Sequence, residues 1–358
     1  MQVTPSLTPR FVTQLGAWAE GHSTVAPWTN VYGLARTMMA LATATTLLTN
    51  PSDVLWVTRA QAAGTCVGIR GATLGCVVGF QHPGLVTAIA VAILTSVIIG
   101  WRPRYTCVPH AWVAFSVANT LVTVEGGEQV AQLVTLFLIP VALTDARRWH
   151  WGRPARAACP LATLIARFGL TLMAFQICGI YFQACVSKLG VADWANGTAI
   201  YYWLNEPYFG MPSWIRPVVT PLLLNSYTLA ALTYGSLLVE FGIAVSLVYR
   251  PPIFRRAVLW SGMVLHISIG LLMGLPSFAF IMAAALLIYL EPLGRHLGFS
   301  DTVIRVAEST RGRLRSARLR SATSARSESP ALAAPLPSDL LPDVPTPLPD
   351  VPTLQPTS

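Results

Sequence analysis

One lysine stands among 24 basic residues, and the other 23 are arginine. That lysine, Lys188, closes a long apolar run in the stretch GIYFQACVSKLGVADWANGTAIYYWLNEPYF, where polar and aromatic side chains are densest. A lysine at such a place is either a snorkelling anchor or a titratable amine. Arginine snorkels equally well but stays charged, whereas a buried lysine can lose its proton and act as a general base or nucleophile. Two further ionisable groups lie inside apolar runs: Glu240 in TYGSLLVEFGIAVSLVY and His266 in LHISIGLL. A carboxylate amid apolar residues must be neutral or paired, and ionisable groups inside a membrane span mark function or a buried pair. Lys188, Glu240 and His266 are therefore the candidate catalytic group, with His110 a fourth polar residue that can join them. His110, Glu125, Glu128, Asp193, Trp194 and Tyr201 are candidate binding residues. Arg36, Asp145, Cys66 and Cys76 read as structural. No Ser/His/Asp arrangement and no metal-ligand spacing is present, which speaks against a self-contained protease and against a metal site.

Apolar runs must position these groups, and they dominate the chain. Of its residues 53% are apolar and 11% charged, with a mean hydropathy of +0.55, whereas a soluble domain carries roughly 25% charged residues. Runs long enough, or nearly so, to cross about 30 Å of hydrocarbon at 1.5 Å per residue fall at 30–49, 84–101, 109–124, 129–144, 161–185, 228–249, 258–274 and 277–291. The expected fold is an all-α integral membrane protein: a polytopic bundle of about eight transmembrane helices over 26–298. A cytoplasmic segment, 1–25, precedes it, and an Arg-rich then Pro-rich disordered tail, 299–358, follows. Residues 210–226, with Pro212, Pro217 and Pro221, read as a lead-in to the sixth span or an interfacial piece.

The net charge of +9 points to membrane orientation and not to nucleic acid. If residue 30 enters from the cytoplasm, the inner loops carry Arg102, Arg104, Arg147, Arg148, Arg153, Arg156, Arg250, Arg255 and Arg256. The outer loops carry Arg59, Arg70, Lys188 and Arg216. This asymmetry satisfies the positive-inside rule and places both termini in the cytoplasm. Residues 1–29 show no cleavable signal peptide.

The third and fourth runs and their connection EGGEQ occupy only 36 residues, 109–144. Sixteen helical residues reach about 24 Å, short of the hydrocarbon thickness. Either the tip, with Glu125 and Glu128, is submerged and lines a polar vestibule open to the outside, or the helices tilt in a locally thinned bilayer with both glutamates among the headgroups. Cys66 and Cys76 share an outer loop and can pair in an oxidising compartment. Cys178 and Cys185 lie on one helix face as packing residues.

PWTNVYGLART in the first run, VPHAW opening the third, EGGEQ at the tip, LTDARRWHW closing the fourth and SKLGVADWANGTAIYYW after the fifth together resemble the SdpB-like sporulation-delaying protein family. That family belongs to the group with a horizontally transferred transmembrane (HTTM) domain, which also holds the vitamin K-dependent gamma-glutamyl carboxylases. The resemblance covers about residues 26–292. It implies a plasma-membrane factor of bacteria that works with a soluble companion to turn an exported precursor into a mature peptide toxin. The more distant carboxylases use a lysine base in a Lys-Leu followed by a Trp-x-x-Gly pattern. Lys188, Leu189, Trp194 and Gly197 match it here, and Glu240 and His266 have counterparts. Where the carboxylases carry an Asn-His pair, this chain has Glu128-Gln129, and their large lumenal substrate domain has no counterpart. The resemblance therefore implies the membrane fold and a pocket facing a quinone or a peptide, and does not imply carboxylation.

The leading expectation is a multi-pass membrane factor for maturation or export of a secreted antimicrobial peptide, with Lys188 outward. Its partners would be the exported precursor, a soluble companion and membrane lipid. Whether it is an enzyme or a scaffold is left open by the residues. The competing reading is a transporter or immunity-type protein whose buried charges form a proton or substrate path, although no internal repeat of the kind transporters show is found.

Overall fold

The computed structural model describes residues 25–57, 64–122, 125–152 and 159–298. All of them belong to one compact unit. The N-terminal segment before residue 25 and the tail 299–358 lie outside the described residues, as do Arg59, Arg153 and Arg156.

The described residues are helical, with two isolated bridges, Trp56 with Leu121 and Trp101 with Trp149, and no strand among them. Eight principal helices coincide with the eight apolar runs: α1 (Asn30–Thr49), α2 (Pro83–Ile98), α3 (Pro103–Thr120), α4 (Gly126–Phe137), α5 (Pro160–Leu189), α6 (Ser226–Val245), α7 (Pro252–Leu272) and α8 (Pro276–Leu290). Their starts are written locally. Proline opens α2, α3, α5, α7 and α8, where its missing N–H costs nothing and its fixed φ suits the first turn. The Asn225 side chain caps α6 by accepting from the N–H groups of Tyr227 (3.0 Å) and Thr228 (3.2 Å), which satisfies two otherwise orphaned donors.

The last helix is the hub. α8 packs against α1, α4, α5 and α7, and Ile281, Met282, Ala284, Ala285, Leu286 and Leu290 are buried along it. A helix that is apolar all round belongs at the centre of a bundle. Truncating the fully buried Leu286 to alanine would cost about 2–5 kcal/mol. A second core lies between α1, α2 and α3 and takes in Leu47, Trp56, Leu74 and Val117. There Cys66 and Cys76 form a disulfide, with Cα atoms 5.7 Å apart. The proline-rich stretch forms a short helix, Arg216–Leu224, which packs on α6.

Two helices among the described residues, Pro160–Leu189 and Ser226–Val245, are long and apolar enough to cross a membrane. Pro83–Ile98 and Pro276–Leu290 are apolar but shorter. The surface of α5 carries Leu161, Phe168, Phe175, Phe182 and Leu189 at seven-residue intervals, all exposed. The surface of α7 likewise exposes Ile253, Trp260, Val264, Ile267 and Leu271.

Candidate functional site

α5 and α6 pack antiparallel, and the Sγ atoms of Cys178 and Cys185 donate to the carbonyls of Ala244 (3.3 Å) and Leu237 (3.7 Å) across the interface. Side chains lean toward the N-terminus of their own helix, so in this pair the Lys188 stem leans one way and the Glu240 stem the other, and the two converge. Lys188 Nζ forms an ion pair with Glu240 Oε1. The lysine side chain is 27% exposed and the glutamate 10%, so the pair closes one end of the interface with its cationic half the more exposed.

One level deeper on the same face of α5, Tyr181 is buried, and its Oη lies 2.6 Å from Nε2 of His266 on α7. The Tyr181–His266 and Lys188–Glu240 pairs thus occupy neighbouring levels of the bundle, joined through the one face of α5 that carries Tyr181 and Lys188. The Phe278 ring of α8 closes over His266 at a centroid distance of 5.6 Å. Tyr181 was not singled out in the sequence. Its signal was the seven-residue spacing to Lys188, which places both on one helix face, but Tyr in an apolar run is ordinarily core.

The turn after α5 supplies the aromatic wall. Trp194 is buried, and Lys188 Nζ lies 4.8 Å from its ring centroid, a cation–π contact that holds the ammonium in place. Gly197 has φ +74°, and a Cβ there would lie 3.0 Å from the Tyr234 ring. Both the left-handed backbone and the close approach require glycine. Tyr234 Oη donates to the Ala195 carbonyl (2.8 Å) and ties this turn to α6. Asp193 is exposed and contributes its backbone carbonyl to the turn, accepting from Thr198 N (2.8 Å). Tyr201 packs at the edge of a separate apolar cluster of Leu204, Met211, Leu223 and Leu229.

The EGGEQ tip meets the start of α8, where Ser277 Oγ donates to Glu125 Oε2 (2.7 Å). Glu128 is 2% exposed in the first turn of α4, and neither carboxylate oxygen has a hydrogen-bond partner. The positive end of the helix dipole favours a carboxylate there. Between the two sequence readings of this hairpin, Glu128 is inside the protein and not among headgroups, while Glu125 is half-buried.

One grouping is corrected. His110 does not join Lys188. It is buried on α3 next to the charge of Arg36 on α1, because the first half of α3 faces α1 and the connection after α4. Asp145 in that connection is engaged by Arg147 through Nε (2.9 Å) and Nη2 (2.8 Å).

The atoms left without partners in the Lys188 cluster are Glu240 Oε2 and His266 Nδ1. Lys188 keeps ammonium protons beyond the one directed at Glu240. The unit thus offers a donor and an acceptor side by side, which matches a peptide group. Among the described residues no group of three or more His, Cys, Asp or Glu can hold a metal ion.

No family model matches the chain, and no solved structure matches it. Two proteins of Bacillus subtilis (strain 168) do. The chain is 33% identical to "Uncharacterized protein YitO" over 277 residues, 76% of this chain and 89% of that protein. It is 32% identical to "Sporulation-delaying protein SdpB" over 285 residues, 78% of this chain and 86% of that protein. An aligned region of this length in a chain of 358 residues takes in both Lys188 and Glu240, and by this identity and coverage the chain belongs to the SdpB-like sporulation-delaying protein family.

Proposed function

We propose that this protein is a multi-pass plasma-membrane factor for production of a sporulation-delaying type peptide toxin, and that it acts on an exported precursor at the outward-facing Lys188–Glu240 site. Membership of the family of SdpB supports a role in toxin production. The exposed apolar stripes on α5 and α7 support membrane embedding, since stripes of this length would be aggregation surfaces in water and are matched by lipid. With Arg102, Arg104, Arg147, Arg148, Arg250, Arg255 and Arg256 at one end of the bundle, the positive-inside rule puts that end in the cytoplasm. Lys188, the EGGEQ tip and the Cys66–Cys76 disulfide then face outward, and all eight helices span the bilayer.

The observation that carries the site reading is the ion pair itself, an ammonium and a carboxylate on neighbouring helices with a free acceptor oxygen and spare N–H groups. A precursor backbone docking there would donate an N–H to Glu240 Oε2 and accept from Lys188 Nζ. Burial strengthens such bonds, and the Tyr181–His266 pair fixes the floor beneath them. In this reading the site holds and orients an extended segment while a soluble companion participates in processing.

The test is complementation. A strain lacking the chain but expressing the precursor and companion is supplied with wild-type protein, and mature peptide in the medium is measured by mass spectrometry. The proposal expects mature peptide only with the chain present. Equal amounts with and without it would overturn the reading.

A further inference from the structure

The EGGEQ tip places two adjacent glycines, Gly126 and Gly127, in the first turn of α4. Glycine is a poor helix residue, so a pair of them inside a helix calls for a reason. Gly127 supplies one. It is buried, and a Cβ there would lie 2.9 Å from the Cα of Phe278 and 3.4 Å from Ile281 Cδ1. The nearest atom is backbone, so turning a side chain cannot make room for a methyl at 127, and the first turn of α8 would have to give way. Gly126 is exposed, and a Cβ there would meet only Cε2 of the Phe278 ring, at an ordinary contact distance of 3.6 Å. Of the two glycines, only Gly127 is required by a close approach.

The tip holds the same turn of α8 at a second point, the bond from Ser277 Oγ to Glu125 Oε2 (2.7 Å). Glu125 is the N-cap residue of α4, so both contacts come from one tip and fall on consecutive residues of α8. Phe278 in turn sets its ring against the His266 imidazole, with 5.6 Å between centroids and 63° between planes. The Tyr181 ring lies 5.9 Å from the same imidazole, also at 63°, and its hydroxyl makes the bond to Nε2. Among the described residues, His266 Nδ1 has no partner. A ring held by one hydrogen bond can still turn about it, and the Phe278 ring is a contact that limits this.

We propose that the EGGEQ tip positions His266: Gly127 lets the tip seat on the first turn of α8, and that seat fixes Phe278, whose ring sets the orientation of the imidazole one level below the Lys188–Glu240 pair. Glu125, Gly127, Ser277 and Phe278 act through the imidazole and are positioning residues. The chain of contacts stands on its own geometry, whereas its consequence for peptide production rests on the proposed role of the Lys188–Glu240 site.

The test uses the full chain, purified in detergent with isotope-labelled histidine. The chain has six histidines, and the His266 imidazole signal in the magnetic resonance spectrum is the one lost in His266→Gln. Spectra are recorded for wild type, Gly126→Ala, Gly127→Ala and Ser277→Ala, and the mature peptide secreted by cells carrying each is measured at matched membrane levels. The His266 signal is expected to move in Gly127→Ala and in Ser277→Ala, and to move less in Gly126→Ala. Secretion is expected to fall about tenfold in Gly127→Ala and to stay within about twofold of wild type in Gly126→Ala, since small displacements of a positioned group are costly. An unmoved signal in Gly127→Ala, or equal movement in both glycine variants, would overturn the proposal. If Gly127→Ala does not fold, Ser277→Ala decides, and an unmoved His266 signal there would overturn it. A moved signal with full secretion would support the chain of contacts and overturn the part of His266 in the Lys188–Glu240 site.

Discussion

Glu240 pairs with Lys188 across 52 residues of sequence because two antiparallel helices lean their side chains toward each other, and the pair leaves Glu240 Oε2 free in a buried position. Glu240→Gln removes the charge and keeps the shape. Since Lys188 is only partly exposed, its cost is placed between those of surface and buried pairs, about 1–3 kcal/mol. Thermal unfolding in detergent should show the lowered Tm, and secretion of mature peptide should fall with it. An unchanged Tm would mean that the pair contributes nothing to the fold.

Tyr181→Phe deletes one hydroxyl and leaves His266 Nε2 without its partner at a buried position. The expected cost is about 1–3 kcal/mol, with no change in helix content by circular dichroism. His266→Gln in the Tyr181→Phe background should cost less than the sum of the two single changes, because both remove the same bond. Strict additivity would contradict the 2.6 Å contact.

Two glycines in one region separate conformation from space. Gly197→Ala forces a methyl at φ +74° and 3.0 Å from the Tyr234 ring, and is expected to cost more than about 1 kcal/mol. At Gly235, inside α6, a Cβ meets nothing within 4 Å, so Gly235→Ala should be neutral or raise stability by up to about 1 kcal/mol. Unfolding temperatures of the two variants compared with wild type decide this, and a Tm ordering opposite to the one given would contradict the geometry of the turn.

The cysteines report topology. Cys66 and Cys76 are bonded, and Cys159 is exposed at the other end of the bundle. A membrane-impermeant maleimide applied to intact cells should label nothing until a reductant frees Cys66 and Cys76. Cys159 should be labelled only after permeabilisation. Labelling of Cys159 in intact, unreduced cells would reverse the orientation.

Much of this architecture was legible in the sequence. Each of the eight apolar runs is helical, although the third and seventh helices begin six residues before their runs and the fourth run is divided between Gly126–Phe137 and Ile139–Leu143, since runs of that length flanked by proline, glycine and polar caps leave little choice. That Glu240 must be paired was legible from cost alone, as a charge amid so much apolar surface needs a partner, and the partner is Lys188. Facing was not legible. A helix such as α8 is apolar all round and carries no amphipathic signal to say which side meets which neighbour. His110, which the sequence leaves free to join Lys188, lies instead beside Arg36, and Tyr181 carries no local signal that separates it from core. The wedge of His150 between Gly33 and Gly100 depends on three segments distant in sequence, and no local pattern announces it.

The central claim, that a compact ammonium at position 188 is needed for peptide production, is tested most directly by secretion of mature peptide from cells carrying wild-type, Lys188→Ala or Lys188→Arg protein at matched membrane levels. The space between Glu240 and the Trp194 ring is filled by an ammonium, and a planar guanidinium presents its donors differently. Both variants are expected to lose more than about tenfold in secreted peptide, while Lys188→Arg retains the wild-type Tm. Wild-type secretion from Lys188→Arg would show that Lys188 is an anchor, and wild-type secretion from Lys188→Ala would remove it from the site altogether.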